Sequence, residues 1–308
     1  MRILDGGGST TPALPDAQRI QVCLATDGLT STATPIGDVD AALTDPRVTA
    51  PERRAIRNEL DAIARIRASV PAGSPIAVAL DSIDRIVLRA HSGPAAITDG
   101  VSIPEHNPFD GMDGVRATKE LLPLDVALHE TTHLVQEVVS GAPIGSRGAV
   151  SMRGFDMGTN FDAKSVAEGL ADARAVLELH DWTTGSGFLG RDGSITRIRD
   201  YAGPAHATGV LSTTRRTYAE VRHRDSDPHV EGGAVVQAFR HIALGTSFAS
   251  ARSVLDGVLA DQQFASSDQA WFALTDALRA QSTRARDRGD EQLARAVDDA
   301  VEAVGLPE

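Results

Sequence analysis

His129 and His133 stand four residues apart in the run Leu128-His129-Glu130-Thr131-Thr132-His133-Leu134, inside a stretch that reads as one amphipathic helix over 123–140. Side chains at i and i+4 leave a helix on one face, one turn apart. Two neutral imidazoles at this spacing can ligate one Zn²⁺. The alternative reading is an amphipathic helix whose histidines are merely polar or satisfied. Glu130 follows the first histidine, beside the metal and not on it, where it can take a proton from a metal-bound water, the usual reading of H-E-x-x-H. Pro123 suits the first helical turn, and Val126 and Leu134 give the helix apolar surface to bury.

Two histidines leave a catalytic zinc one protein ligand short. The best source of the third is Ser165-Val166-Ala167-Glu168-Gly169-Leu170-Ala171-Asp172, in a second helix expected over 164–180. Glu168 and Asp172 share a face at i, i+4. Glu168 would be the ligand. Asp172, one turn on, would accept a hydrogen bond from the far nitrogen of a zinc-bound histidine and so fix its tautomer. The competing reading is a capping box, with Ser165 as N-cap and Glu168 at the third helical position.

His229 follows a proline in Asp227-Pro228-His229-Val230-Glu231-Gly232-Gly233, at the mouth of another helix. A protonated imidazole there would stabilise the oxyanion formed when water attacks a carbonyl. The two glycines allow the backbone to approach a neighbour closely. A lone histidine in a surface or satisfied core position is the alternative.

Composition narrows the class. The 308 residues carry 30 basic and 42 acidic groups, a net charge of −12, and only Lys119 and Lys164 are lysines. That balance argues against a nucleic-acid partner, which needs a basic face. A single cysteine, Cys23, excludes an internal disulfide framework and a multi-cysteine zinc site. No apolar run is long enough to span a bilayer, so no membrane partner is expected. The first residues lack the apolar core of a Sec-type signal, which suggests a cytoplasmic chain as synthesised, or export by another route. Oligomeric state is not legible.

Along the chain, 1–50 reads as an N-terminal extension, partly irregular, with one short strand in Ile20–Leu24. A helix is expected over 51–70, where Ile56, Leu60, Ile63 and Ile66 recur at helical spacing before Pro71. Short β-like runs follow at Ile76–Leu80, Ile86–Leu88 and Ala96–Ile103, completing a small α+β portion over 51–120. From 121 to 308 the pattern is mostly helical, with further helices expected over 230–243, 250–262, 267–280 and 290–304. The fold class is thus α+β.

These elements, in this order, resemble the thermolysin-like neutral zinc metalloproteases over roughly 124–306. Asp125 to His133 resembles the family's zinc helix, Glu168 to Asp172 its glutamate-ligand helix, Asp181-Trp182 the Asp-Trp pair that follows, and His229 to Gly233 its catalytic-histidine segment. The stretch from Asp299 to Gly305 is similar to the closing helix. The resemblance implies a zincin-like fold, with the zinc site between a small α+β N-terminal portion and a helical C-terminal portion. It implies a zinc-dependent endopeptidase that hydrolyses peptide bonds of a peptide or protein substrate through metal-activated water. His129, His133 and Glu168 would hold Zn²⁺, Glu130 would be the general base and His229 the transition-state stabiliser. Arg199, or Arg197 if the alignment slips by two, looks like the arginine that contacts a substrate carbonyl. The substrate-binding edge strand looks like Ala95–Gly100, with Ala96 in it. A structural Ca²⁺ would draw on Asp125, Glu178 and Asp181.

The sequence departs from the family in four places. The connection from His133 to Glu168 is long, with a Gly-rich stretch from Gly145 to Lys164. The family's assisting tyrosine is missing there, where Phe155, Thr159 and Phe161 stand, and the chain's only tyrosines are Tyr201 and Tyr218. Ala95 occupies the place of an asparagine, and an acidic calcium ligand is missing near Ser186. These departures keep two alternatives open: a catalytically impaired zincin-fold binding protein, and a narrow-specificity effector protease.

Overall fold

Three short, largely buried strands set the architecture of the first hundred residues. β1 (Gln21–Leu24), β3 (Arg85–Ala90) and β5 (Gly100–Pro104) run parallel, with Val22 opposite Ile86 and Ile86 opposite Val101. Val22, Leu24, Ile86, Leu88, Val101 and Ile103 all enter the main core, while Cys23 and Val87, on the other parity, join Ala25 and Ala33 in a small cluster of their own. That is the period-two signature of a sheet with two unlike faces. β2 (Thr34–Asp38) and β4 (Ala95–Ile97) pair antiparallel at the two ends, giving the order β2-β1-β3-β5-β4.

The computed structural model describes residues 20–90, 95–97, 100–104, 115–118, 120–139, 161–185, 188–190, 195–196, 198–202, 213–222, 227–261 and 269–308. Within these, β1, β2 and α1 (Val39–Thr44) place residues from Ile20 onward in the sheet and its core, not in an irregular extension; 1–19 lie outside the described residues.

α2 (Ala50–Ser69) begins at a reciprocal capping box. The Thr49 side chain accepts from Glu52 N, and the Glu52 carboxylate accepts from Thr49 N at 2.6 Å. The run Ile76–Leu80 is a helix, α3 (Pro75–Asp81), where the sequence suggested a strand. A five-residue apolar run has no decisive period, and here the caps decide: Ser74 accepts from Ala77 N and Pro75 stands at the first helical position. The span 96–103 is two antiparallel strands, β4 and β5, and not one.

β6 (Val115–Thr118) leads to α4 (Leu124–Val139), which packs on α2, α3, β4 and β5, and on its other side against α5 (Phe161–Leu179). α5 is the axle of the second half: most of its side chains are buried, and α4, α7, α8 and α9 all pack on it. After it come β7 (Thr183–Thr184), β8 (Phe188–Gly190), β9 (Ile195–Thr196) and β10 (Arg199–Asp200), with β8 between β6 and β9 and β10 paired to β7. α6 (Pro228–Glu231), α7 (Gly233–Gly245), α8 (Phe248–Ala260), α9 (Ala270–Asp287) and α10 (Glu291–Val304) complete the chain. The architecture is α+β, with the five-stranded sheet in the first part, two small sheets formed largely by the strands after α5, and helices dominating the second part. No helix among the described residues is long and apolar enough to cross a membrane.

Candidate metal centre

α4 and α5 lie against each other so that His129 and His133 meet Glu168. His129 Nε2 is 3.0 Å from Glu168 Oε2 and 3.0 Å from His133 Nε2, and His133 Nε2 is 3.1 Å from the same oxygen. Four ligands about 2.05 Å from a tetrahedral zinc are separated by about 3.3 Å, so this triangle is already near coordination spacing.

The far side of each ring is also fixed. His129 Nδ1 is 2.9 Å from Asp172 Oδ1, and His133 Nδ1 is 2.9 Å from Gln136 Oε1. A carboxylate or amide oxygen can only accept, so both rings donate through Nδ1 and turn the Nε2 lone pair inward. Two lone pairs and a carboxylate oxygen facing one another at 3 Å repel unless a cation, proton or metal, lies among them.

The capping-box reading of Ser165 does not survive. α5 begins at Phe161, and the Ser165 hydroxyl bonds the Phe161 carbonyl at 3.0 Å inside the helix, leaving the Glu168 carboxylate to the histidines. Asp172 is almost fully buried and carries three donors. Besides His129, Arg199 Nη1 lies 2.6 Å and the Tyr201 hydroxyl 2.5 Å from its second oxygen.

Electrostatics follow from this packing. Burial penalises both Asp172 and Glu168 as anions, yet neighbours outweigh it. Arg199 and His129 hold Asp172 well below the usual carboxylate range, and His229, His133 and His129 do the same for Glu168. Burial likewise opposes charging of His129, but Asp172 and Glu168 raise it well above an ordinary imidazole. The centre is a pair of fixed anions wrapped around rings that hold a positive charge tightly.

His229 joins them. Its Nε2 is 3.1 Å from Glu168 Oε2, its Nδ1 is 2.8 Å from Asp227 Oδ1, and its ring stacks on His129 at 5.9 Å between centroids. Donor atoms of His129, Glu168 and His229 all lie within 4.8 Å of one another, a group able to hold a metal ion. The two glycines expected to permit close approach do so: a Cβ on Gly232 would stand 2.6 Å from the Ser165 carbonyl oxygen, and one on Gly233 would stand 2.5 Å from that of Arg215. Glu231, fully buried, anchors the turn by accepting Arg215 Nε at 3.1 Å and Arg222 N at 2.8 Å.

Other sequence-derived candidates fall differently. Glu130, partly exposed, follows His129 on α4. Arg199 is nearly buried and bound to Asp172, so its guanidinium braces the metal centre. Arg197 lies outside the described residues, as do Phe155, Thr159 and the 145–160 part of the long connection. Ala96 lies in β4, at one end of the sheet and beside α4. The expected calcium ligands form no cation-holding group among the described residues. Glu178 faces Arg174 and Arg252 at 3.2 and 2.9 Å, Asp125 is buried on α4 and accepts Val126 N, and Asp181 is exposed.

Three residues of the site were not found from sequence. Gln136 was legible in principle, three residues past His133 on the same face. Asp227 stands two before His229, in a capping position. Tyr201 carried no local signal, since only the fold brings it to Asp172.

No protein-family model and no curated protein matches this chain.

Proposed function

We propose that the chain is a zinc-dependent peptidase of zincin-like fold, with His129, His133 and Glu168 as metal ligands. One observation carries the reading: two imidazole lone pairs from α4 and one carboxylate oxygen from α5 converge at 3.0–3.1 Å, and both rings are locked from behind. The donor set suits zinc, which takes nitrogen and oxygen ligands and leaves a catalytic fourth position to water. Zinc, when bound, supplies a Lewis acid that brings the pKa of water to about 7.

The residues around it divide the remaining work. Glu130, one position after His129, takes the proton of the attacking water and returns it to the leaving amine. His229 is placed to stabilise the developing oxyanion, while Asp227 holds Nδ1 and sets the ring. Arg199 and Tyr201 act through Asp172, keeping it ionised and aimed at His129. β4, next to α4 at the end of the sheet, is where an extended peptide would pair.

The test is metal-loaded protein with a denatured protein substrate. Cleavage is expected in the wild type and its loss in Glu130→Gln with zinc retained. Equal activity in the two proteins overturns the mechanism. A binding protein without turnover is the second reading, favoured by one observation. Neither tyrosine is free to assist the reaction, because the Tyr201 hydroxyl is fully buried on Asp172 and Tyr218 packs against Trp271. It predicts stoichiometric zinc and no hydrolysis across a broad peptide library. A narrow-specificity effector protease would instead leave casein intact and cleave one partner protein.

A further inference from the structure

His229 is built like a ligand. Each metal-ligating imidazole proposed above has a fixed acceptor on Nδ1, and so does His229. Asp227 Oδ1 lies 2.8 Å from its Nδ1 and also caps the turn by accepting His229 N at 3.0 Å. With Nδ1 held by Asp227, Nε2 faces Glu168 Oε2, 3.1 Å away, the same separation that His133 keeps. One carboxylate oxygen thus faces three imidazole nitrogens at 3.0–3.1 Å. Donor atoms of His129, Glu168 and His229 already stand close enough together to hold one ion, and such an ion would relieve the crowding at Glu168.

We infer that His229 is a fourth, displaceable metal ligand that closes the centre when no substrate is present. The inference rests on the peptidase reading and concerns regulation of the same site. Zinc sites with four protein ligands are closed, and those that do chemistry keep one position for water. A centre of His129, His133, Glu168 and His229 is therefore latent until His229 withdraws.

The structure separates a firm trio from a looser fourth member. His129 and His133 sit on one sixteen-residue helix and Glu168 on a nineteen-residue one. His229 sits on a four-residue turn, its side chain is 33% exposed against 9% for His129, and its stack on His129 is wide, at 5.9 Å. What leaves most readily is the most exposed of the donors, by rotation of its own side chain. Once withdrawn, the same ring is available to the developing oxyanion.

X-ray absorption at the zinc edge of the full-length, zinc-loaded chain counts imidazoles directly, without reference to activity. Three are expected in the wild type and two in His229→Ala, whose zinc dissociation constant should rise about 10- to 100-fold. Cobalt-loaded wild type should gain a water-exchangeable position on that substitution, seen as a changed visible spectrum and new binding of azide. Two imidazoles and an exchangeable water in the wild type, unchanged in His229→Ala, overturn the closed centre and leave the three-ligand reading standing. Failure of the wild type to take up zinc at all overturns both.

Discussion

Gly232 lies against Gly169 so closely that neither position has room for a side chain. A Cβ on Gly232 would come within 2.7 Å of Gly169 N and 2.6 Å of the Ser165 carbonyl oxygen, and a Cβ on Gly169 would run into the Gly232 carbonyl oxygen and, at 2.6 Å, Val235 Cβ. The clashing atoms are mostly backbone, which cannot rotate away. This contact sets the turn bearing His229 against the helix bearing Glu168. Gly232→Ala and Gly169→Ala should each cost about 2–3 kcal/mol or more by overpacking, read as a lower denaturant midpoint. Each should also weaken zinc binding, by moving Glu168 and His229 apart. A variant with an unchanged midpoint would show that the two backbones part without cost.

Residue spacing made the pairings within α4 and α5 legible, because the i, i+4 rule acts within one element: His129 with His133, and Glu168 with Asp172. It also marked the Gly232-Gly233 approach, a purely steric demand. Contacts between distant elements were harder. Arg199 looked like a substrate contact from the sequence, and its meeting with Asp172 was not legible there, because it follows from the pairing of β10 with β7. The strand in Ile20–Leu24 was legible, but residues 25–49 looked irregular because β2 and α1 are only five and six residues long and carry no period of their own. Ile76–Leu80 was misjudged because an apolar run that short has no period, and the Ser74-Pro75 signal in front of it was the better guide.

Glu59 on α2 is fully buried beneath α4. The Thr131 hydroxyl lies 2.8 Å from the Ala127 carbonyl and 2.8 Å from Glu59 Oε1, and it has one proton to give. A protonated Glu59 supplies the second, and burial, together with the Glu130 charge, pushes this carboxyl up from 4.5 to about 8. The unfolded chain ionises near the ordinary value while the native state keeps its proton. Native stability therefore falls as pH rises from 4.5 and levels off above about 8, with a loss of roughly 3 kcal/mol by pH 7. Glu59→Gln keeps a neutral donor for Thr131 and should abolish this slope. Chemical denaturation from pH 4 to 8.5 checks it, and parallel curves for the two proteins would contradict it.

Asp172 receives His129 Nδ1, Arg199 and Tyr201 together, so removing its charge disturbs both metal and fold. Asp172→Asn should weaken zinc binding about 10- to 100-fold in chelator competition, since the His129 tautomer is no longer enforced. It should also destabilise the protein by about 3–5 kcal/mol, because the Arg199 guanidinium stays buried without its anion. Tyr201→Phe removes one donor and no charge, so a loss near 1 kcal/mol and a much smaller change in zinc affinity are expected. Equal effects of the two substitutions would mean that Tyr201, and not charge, orients Asp172.

Arg174, two residues past Asp172 on α5, is fully buried between Glu178 and Asp256, while Arg252 takes the other oxygen of Glu178. Burial works against the charged guanidinium, and the carboxylates of Asp256 and Glu178 hold it in place. Arg174→Met should cost about 3–5 kcal/mol, chiefly because Asp256 is left facing the interior without a counter-charge. Adding Asp256→Leu should then restore much of the loss, so that a double-mutant cycle gives a large coupling energy. The same ion pairs make a calcium role for Glu178 expensive, since the ion would have to displace two arginines. Adding millimolar Ca²⁺ should leave the melting temperature of the wild type unchanged, and a rise of several degrees would put Glu178 back among cation ligands.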